Sequence, residues 1–457
     1  MKHVHILGIC GTFMGALAVL ARQKGYHVTG SDHNVYPPMS TYLELQGIQI
    51  MQGYDYDITS LKLDEVIVGN TMRRGMPIVE TLLNSELQYY SAPSWLYNEV
   101  LKTKKVIAVS GTHGKTTTTS LIVKLLDDAD LNPGFLIGGI SQDFGVSSRL
   151  TDSEIFVIEA DEYDTTFFDK RSKFIHYHPD ILTINNLEFD HADIFNSMDD
   201  IYRQFHYLFR MMPGKASIIY PQDDQNIAHL LTMGVWSNKL PIKNQILDIK
   251  PINADYSEFV LSDNDKCHLI KWSMLGEHNA KNALMAYTVA KCIDISFDKI
   301  QASFANFKGV KRRLECIYQD HYCAIYDDFA HHPTAVKHTL QALKAKASDA
   351  QKVVAILEAR SNTMKMGAQE KDLIQALKFA DEVWFYQNTN MQWQARSHQS
   401  ETFLVFDQIE DIVKVFEKSY KSPLFKHFVI MSNGGFENLH QRLLQKAVVV
   451  VTHSNSF

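Results

Sequence analysis

Short apolar runs recur along the chain, each followed, after a polar turn, by a longer stretch in which apolar residues return every three or four positions. Runs of the first kind read as buried strands and stretches of the second kind as amphipathic helices. Residues 4–9 predict a strand, 15–23 a helix, and 27–31 and 66–69 two further strands. After the short polar segment 101–105 a fresh strand at 106–109 opens a second block, which continues through strands at 155–158, 181–184 and 217–220. A third block opens after Gly309, beside the basic run Lys311, Arg312 and Arg313, with strands at 324–326, 353–357, 382–385 and 428–431 and helices at 334–346 and 371–378. Alternation of this kind implies mainly parallel sheets covered on both faces. The expectation is an α/β chain of three domains: a Rossmann-like domain over 1–103, a central domain with a mainly parallel sheet over 104–309, and a second Rossmann-like domain over 310–457, with Gly309 as the hinge.

Composition adds bounds to this picture. A chain of 457 residues with 45% hydrophobic and 21% charged residues is an ordinary globular sequence, long enough for several cores. The formal charge of −7 argues against nucleic acid as a partner, because binding a phosphate backbone needs a net basic surface. Five cysteines without a CxxC pair fit neither a disulfide framework nor a zinc site, so a reducing, cytoplasmic setting is expected. The apolar stretch after Met1 superficially resembles a secretion signal, but Gly8, Gly11 and Gly15 interrupt it at strand-turn-helix spacing. No apolar run reaches the roughly 18 residues of a membrane span.

The strongest chemical signal is Gly111-Thr112-His113-Gly114-Lys115-Thr116-Thr117, set between a strand and a helix. In that context loop amides and a helix N-terminus face an anion, Lys115 reaches outer phosphates, and the Thr116 hydroxyl is a ligand for Mg²⁺. ATP is the implied cofactor, and the central domain takes on the character of a P-loop ATPase. The match is partial, because Val109 stands where the general motif has its first glycine. The run 155–158 delivers Glu159 and Asp161 to the C-terminal edge of a parallel sheet, where the ligands of open α/β folds sit. Residues 185–191 follow the next strand and offer Glu188, Asp190 and His191. Glu159 and His191 are therefore metal candidates with Thr116, and catalytic candidates with Lys115.

Together these residues resemble the Mur ligases of bacterial cell-wall synthesis. The motifs that carry the resemblance are 111–117, Glu159-Ala160-Asp161-Glu162, Asp190-His191, His278-Asn279 with Asn282-Ala283, Arg312-Arg313, and 327–333, in order along all three blocks. Three further segments, 168–174, 359–365 and 431–436, resemble the branch that recycles murein. That branch joins the tripeptide L-alanyl-γ-D-glutamyl-meso-diaminopimelate to the lactyl carboxylate of UDP-N-acetylmuramate. The branch that adds free L-alanine usually carries other residues there, and differs only in its acceptor.

The resemblance implies that ATP phosphorylates the lactyl carboxylate and that the peptide amine then attacks the acyl phosphate. It assigns one Mg²⁺ to Thr116 and Glu159 and a second to Glu159 and His191. It places Asn282 and His278 at the adenine, Asp328 near the ribose, and Arg313 near the phosphates. An α-amino group of pKa about 7.7–8.0 is about one-tenth neutral at pH 7, a penalty of roughly 1.4 kcal/mol, so no dedicated base is required. The first block resembles the family's uridine-diphosphate domain: Gly8, Gly11 and Gly15 would let the backbone approach a pyrophosphate, and Asp32 would meet the ribose or base. Each glycine also has a bland reading as a turn residue. In the third block a tripeptide with several carboxylates calls for cationic anchors, and Arg360, after the strand 353–357, faces the ligand edge of its sheet, with Lys365, Asn362, Ser432 and Asn433 as neighbours in the same argument. His331 and His332 would face the muramyl substrate, with helix N-terminal packing as the alternative. An NAD-dependent oxidoreductase would leave Lys115 and the metal candidates without employment, and a nucleotide switch would leave the third block unexplained. The partners expected are UDP-N-acetylmuramate and the tripeptide, with no nucleic acid, no membrane, and an oligomeric state open between monomer and weak dimer.

Overall fold

The computed structural model describes residues 1–36, 39–190, 194–243, 247–264, 266–367, 369–387, 390–420 and 422–454. They form two compact units: one holds the residues up to Phe189, most of 194–246 and Asn282–Phe307, and the other holds most of 247–281 together with the chain from Lys308 onward.

The first unit contains two parallel sheets. β1 (His3–Leu7), β2 (His27–Asp32), β3 (Gln49–Gln52), β4 (Glu65–Val68) and β5 (Gln88–Ser91) lie in the order β3-β2-β1-β4-β5. The candidate secretion signal is thus β1, a turn and the helix Thr12–Gln23. The second sheet is built from β6 (Lys105–Ser110), β7 (Gly134–Leu136), β8 (Ser148–Arg149), β9 (Ile155–Glu159), β12 (Ile181–Ile184), β13 (Ser217–Pro221) and β14 (Asn238–Ile242), ordered β14-β13-β12-β6-β9-β7-β8. All its pairings are parallel except β7 with β8. A separate hairpin, β10 (Asp164–Thr166) and β11 (Asp169–Ser172), leaves the end of β9. The first strand of this sheet in sequence, β6, lies between β12 and β9, so its C-terminal end is a switch point, where flanking loops part and a ligand crevice opens. One apolar core, including Val4, Leu17, Trp95, Val106, Phe156 and Leu182, runs from the first sheet to the second. Each such side chain contributes about 1.5–3 kcal/mol through burial.

The second unit carries β18 (Glu315–Gln319), β19 (Cys323–Asp328), β20 (Lys352–Glu358), β21 (Glu382–Tyr386), β22 (Phe403–Phe406) and β23 (Lys426–Met431), ordered β18-β19-β23-β20-β21-β22. β18 is antiparallel and the other strands are parallel. It also contains an antiparallel sheet of β15 (Leu247–Pro251), β16 (Glu258–Asp263) and β17 (Lys266–Lys271), which the sequence reading did not anticipate. In β16 only Phe259 and Leu261 are fully buried, on alternate positions, and the strand is flanked by charged residues, so its apolar signal is short and weak.

Candidate active site

Gly111 and Gly114 both adopt positive φ, +120° and +80°, a region that residues with a Cβ enter at a cost. The space is closed as well: a Cβ on Gly111 would meet the Asn186 carbonyl oxygen at 2.9 Å and the Asn185 nitrogen at 3.0 Å, and one on Gly114 would run into the Asn282 amide. Gly114 caps the helix Lys115–Asp128 in a left-handed conformation, which sets the helix N-terminus at the loop, where its dipole favours an anion. Val109, the departure from the general motif, is a buried strand residue paired with Thr183 and Glu159 on either side, so the loop proper begins after Ser110.

Lys115 is buried, and its ammonium donates to the Gly111 carbonyl at 2.7 Å and to Glu162 Oε2 at 3.2 Å, with Asp161 Oδ1 at 3.7 Å. Burial works against its charge, but the carboxylates of Glu162, Asp161 and Glu159 outweigh it and hold the pKa above the ordinary lysine value. Register places Glu159, the last residue of β9, beside Val109 of β6. The Thr116 hydroxyl donates to Glu159 Oε1 at 2.9 Å and the Gly138 amide to Oε2 at 2.6 Å. Two hard oxygen donors thus converge at the start of the phosphate-loop helix, a donor set suited to Mg²⁺. His191, the other metal candidate, lies outside the described residues.

The segment after β12 clamps the loop from the opposite side. Asn186 accepts from the His113 amide through its side chain at 2.8 Å and from the Thr112 amide through its carbonyl at 3.2 Å, while Thr112 Oγ1 and Glu188 exchange hydrogen bonds at 2.8 and 3.2 Å. Asn185 donates to Thr118 Oγ1 at 2.8 Å. Thr117 is buried within the helix. Asn282 is buried against Gly114, so the structure brings this residue to the loop.

In the first sheet Gly8 takes φ +81° and its amide donates to the Ser31 carbonyl at 2.8 Å. Gly11 precedes the helix Thr12–Gln23 with φ −66°, and a Cβ there would make only ordinary contacts with the Gly8 carbonyl oxygen and Met14 at 3.7 Å, so neither backbone nor packing requires a glycine. A Cβ on Gly15 would meet Met39 Sδ at 2.7 Å, which makes that glycine a helix-packing residue. Asp32 closes the turn by accepting from the amides of Cys10 and Asn34 at 3.0 and 2.9 Å.

In the second unit, Asp328 ends β19 and accepts from the amides of Leu314 and Ala330 at 2.6 and 2.7 Å. Burial raises its pKa to about 6, against the lowering pull of Arg313. Arg313 lies over the Phe329 ring at 5.0 Å. His332 caps the helix Pro333–Lys346 through Nδ1 and its Nε2 meets the Gln369 amide at 2.9 Å; His331 Nδ1 is 2.9 Å from the Phe329 carbonyl. His278 stacks on His338 with ring centroids 5.4 Å apart. At the C-terminal ends of β20 and β23, Glu358 accepts from Ser432 Oγ at 2.5 Å, Arg360 lies 3.9 Å from Glu358, and Gly434 has no Cβ where the Arg360 side chain passes. Asn362 is exposed and opens the short helix Asn362–Met366, which ends next to Lys365. Arg360, Ser432 and Gly434 therefore share one edge of the sheet. Within the first unit, a cleft of about 530 Å³ lined by Lys104, Lys105, Asp180, Lys215 and Cys292 lies at the N-terminal edge of the central sheet, where the strands begin rather than where the phosphate loop leaves β6.

Three family models match the chain in the order expected: the Mur ligase family catalytic domain over residues 3–101, the Mur ligase middle domain over 109–290, and the Mur ligase glutamate ligase domain over 312–423. The chain belongs to the Mur ligase family. Mur ligases are ATP-dependent, and the phosphate loop is the feature of this Mur ligase that answers to that requirement. The chain is 46% identical over 444 residues, 96% of its own length and 97% of the relative's, to the UDP-N-acetylmuramate–L-alanyl-γ-D-glutamyl-meso-2,6-diaminoheptanedioate ligase of Escherichia coli. The crystal structure of a murein peptide ligase from Psychrobacter arcticus matches with a TM-score of 0.74 and 42% identity, covering 98% of this chain and 99% of that one. Similarity to the UDP-N-acetylmuramate–L-alanine ligase of Lactobacillus acidophilus is lower, 32% over 84% of each chain.

The sequence reading missed several residues of this Mur ligase site. Glu162 stands out in the sequence only as part of a motif, yet it pairs with Lys115. Gly138 and Asn186 were not singled out, although one orients Glu159 and the other shapes the loop. None of the three follows from local pattern, because their partners are 47, 21 and 73 positions away.

Proposed function

We propose that this chain joins the L-alanyl-γ-D-glutamyl-meso-diaminopimelate tripeptide to the lactyl carboxylate of UDP-N-acetylmuramate, with ATP as the phosphoryl donor, in murein recycling in the cytoplasm. The observation that carries the reading is the identity gap: 46% to a tripeptide-adding relative against 32% to an L-alanine-adding one.

The division of labour follows the three expected domains: 1–103 for the sugar nucleotide, 104–309 for ATP, and 310–457 for the peptide. Thr116 and Glu159, with His191, are the residues that would hold Mg²⁺, which when bound supplies charge neutralisation on the phosphates. The loop amides around Gly114 orient the triphosphate, and Lys115, tied back by Glu162 and Asp161, is a charge ready to meet the outer phosphates. A carboxylate oxygen of the sugar acid attacks the terminal phosphorus and ADP leaves. The peptide amine then displaces phosphate from the acyl phosphate. Arg360, with Asn362 and Lys365, anchors carboxylates of the peptide. The deciding experiment is phosphate release from ATP and UDP-N-acetylmuramate with the tripeptide or with L-alanine. Release with L-alanine alone would assign the chain to the other branch.

A further inference from the structure

Lys173 begins a short helical turn directly after the β10–β11 hairpin and is only 8% exposed. Its ammonium sits between two aromatic faces, 4.7 Å from the ring centroid of Phe13 and 5.0 Å from that of Tyr163. Among the described residues it forms no ion pair and its side chain makes no hydrogen bond. A buried lysine normally finds a carboxylate or several carbonyls, since an ammonium taken from water without partners is costly, and cation–π contact recovers only about 0.5–2 kcal/mol.

The surroundings say what kind of ligand would complete it. Phe13 stands in the first turn of the helix that follows Gly8–Gly11, the loop assigned above to the sugar nucleotide. Tyr163 follows Asp161 and Glu162, the carboxylates beside Lys115. Lys173 therefore lies between the sugar-nucleotide loop and the phosphate loop, inside one compact unit. Burial lowers its pKa while Asp161, Asp164, Glu162 and Glu159 oppose that fall. These carboxylates act on the ammonium from beyond ion-pair distance and leave its donors unengaged among the described residues.

We propose that Lys173 receives the carboxylate of the sugar-nucleotide acid and holds it toward the phosphate loop for phosphorylation. This rests on the sugar-acid substrate proposed above and adds a recognition residue for its reacting group. The ammonium donates to one carboxylate oxygen while the other attacks the terminal phosphorus of ATP; ADP leaves with the bonding pair, and no proton moves from Lys173. Phe13 and Tyr163 hold the ammonium between their rings.

The test is calorimetric binding of UDP-N-acetylmuramate and of UDP-N-acetylglucosamine, which lacks the lactyl carboxylate, to the full chain without ATP. Wild type is expected to bind the acid at least about tenfold more tightly. Lys173→Met should abolish that preference while changing UDP-N-acetylglucosamine affinity less than about twofold, and Lys173→Arg should restore part of it. An equal loss for both ligands would place Lys173 at the diphosphate and overturn the proposal, and an undiminished preference in a folded Lys173→Met would make the lysine structural and overturn it too. Where Lys173→Met fails to fold, Lys173→Gln carries the same comparison. A wild type with no preference, and no phosphate release with the acid, would instead sink the substrate reading itself.

Discussion

The Thr116 hydroxyl donates to Glu159 Oε1 across 2.9 Å, linking the first turn of the phosphate-loop helix to the end of the neighbouring strand. The other oxygen of Glu159 is held by the Gly138 amide, so the carboxylate cannot rotate without losing a partner. Glu159→Gln keeps the shape and removes the charge. Phosphate release should fall by about 10²-fold, and the magnesium concentration for half-maximal rate should rise at least about tenfold, with UDP-N-acetylmuramate binding unchanged. A magnesium titration of initial rates reads this directly; an unaltered half-maximal concentration would remove Glu159 from the metal site.

Lys115→Ala should lower acyl-phosphate formation by on the order of 10³-fold, because a charge meant for the transferring phosphoryl group is lost. It also removes the cation that Glu162 and Asp161 share, so the melting temperature should fall. Sugar-nucleotide binding, measured by calorimetry, should persist; turnover near wild type would refute the role.

Gly114→Ala combines a left-handed backbone at φ +80° with a collision against Asn282. The backbone part alone costs about 1–2 kcal/mol, enough for a tenfold or greater loss of ATP affinity. Adding Asn282→Gly removes the collision but not the backbone strain. The double variant should therefore bind ATP no better than partly recovered, as equilibrium titration with a fluorescent nucleotide would reveal.

Arg360→Ala should raise KM for the tripeptide about 10–100-fold with little effect on that for ATP, the scale of a lost charge-assisted hydrogen bond. Gly434→Ala should reproduce this phenotype without touching Arg360 itself, since the new methyl would occupy the path of the Arg360 side chain. Equal increases for peptide and ATP in steady-state kinetics would dismiss Arg360 as an anchor.

His5 is buried among Thr29, Ser31 and Tyr56, and burial, aided by His3, lowers its pKa from 6.5 to about 3. The unfolded chain takes up this proton first as pH falls, so the associated stability is complete above about pH 6.5 and drains away toward pH 3. By pH 5 the loss amounts to about 2 kcal/mol. Urea midpoints of wild type and His5→Asn at pH 7.5 and 5.0 should converge on acidification, whereas parallel declines would show that His5 titrates normally.

Much of the architecture was legible because parallel strands buried on both faces are nearly uninterrupted apolar runs. The expected strand at 106–109 is β6, Lys105–Ser110, and that at 181–184 is Ile181–Ile184 itself. Glu159 could be picked out because it ends such a run. Legibility failed where chemistry depends on distant partners: Arg312, read as part of a basic run, spends its guanidinium on the carbonyls of Ser432 and Gly434 at 2.7 and 2.8 Å. For His332 the sequence left helix N-terminal packing beside a substrate role, and the ring does cap the helix Pro333–Lys346. The contact that closes Gly15 to a side chain, with Met39, is likewise absent from the spacing of the glycines.

The bonds from Asn186 and Glu188 to the Thr112–His113 turn tie the nucleotide cradle to the exit of β12. The cradle is consequently moulded when the central sheet zips up, before any ligand arrives. Damage to β12, including substitutions that touch no phosphate, would therefore present in an assay as weakened ATP binding, and a screen for nucleotide-site mutations would return residues that are only ever neighbours of the sheet.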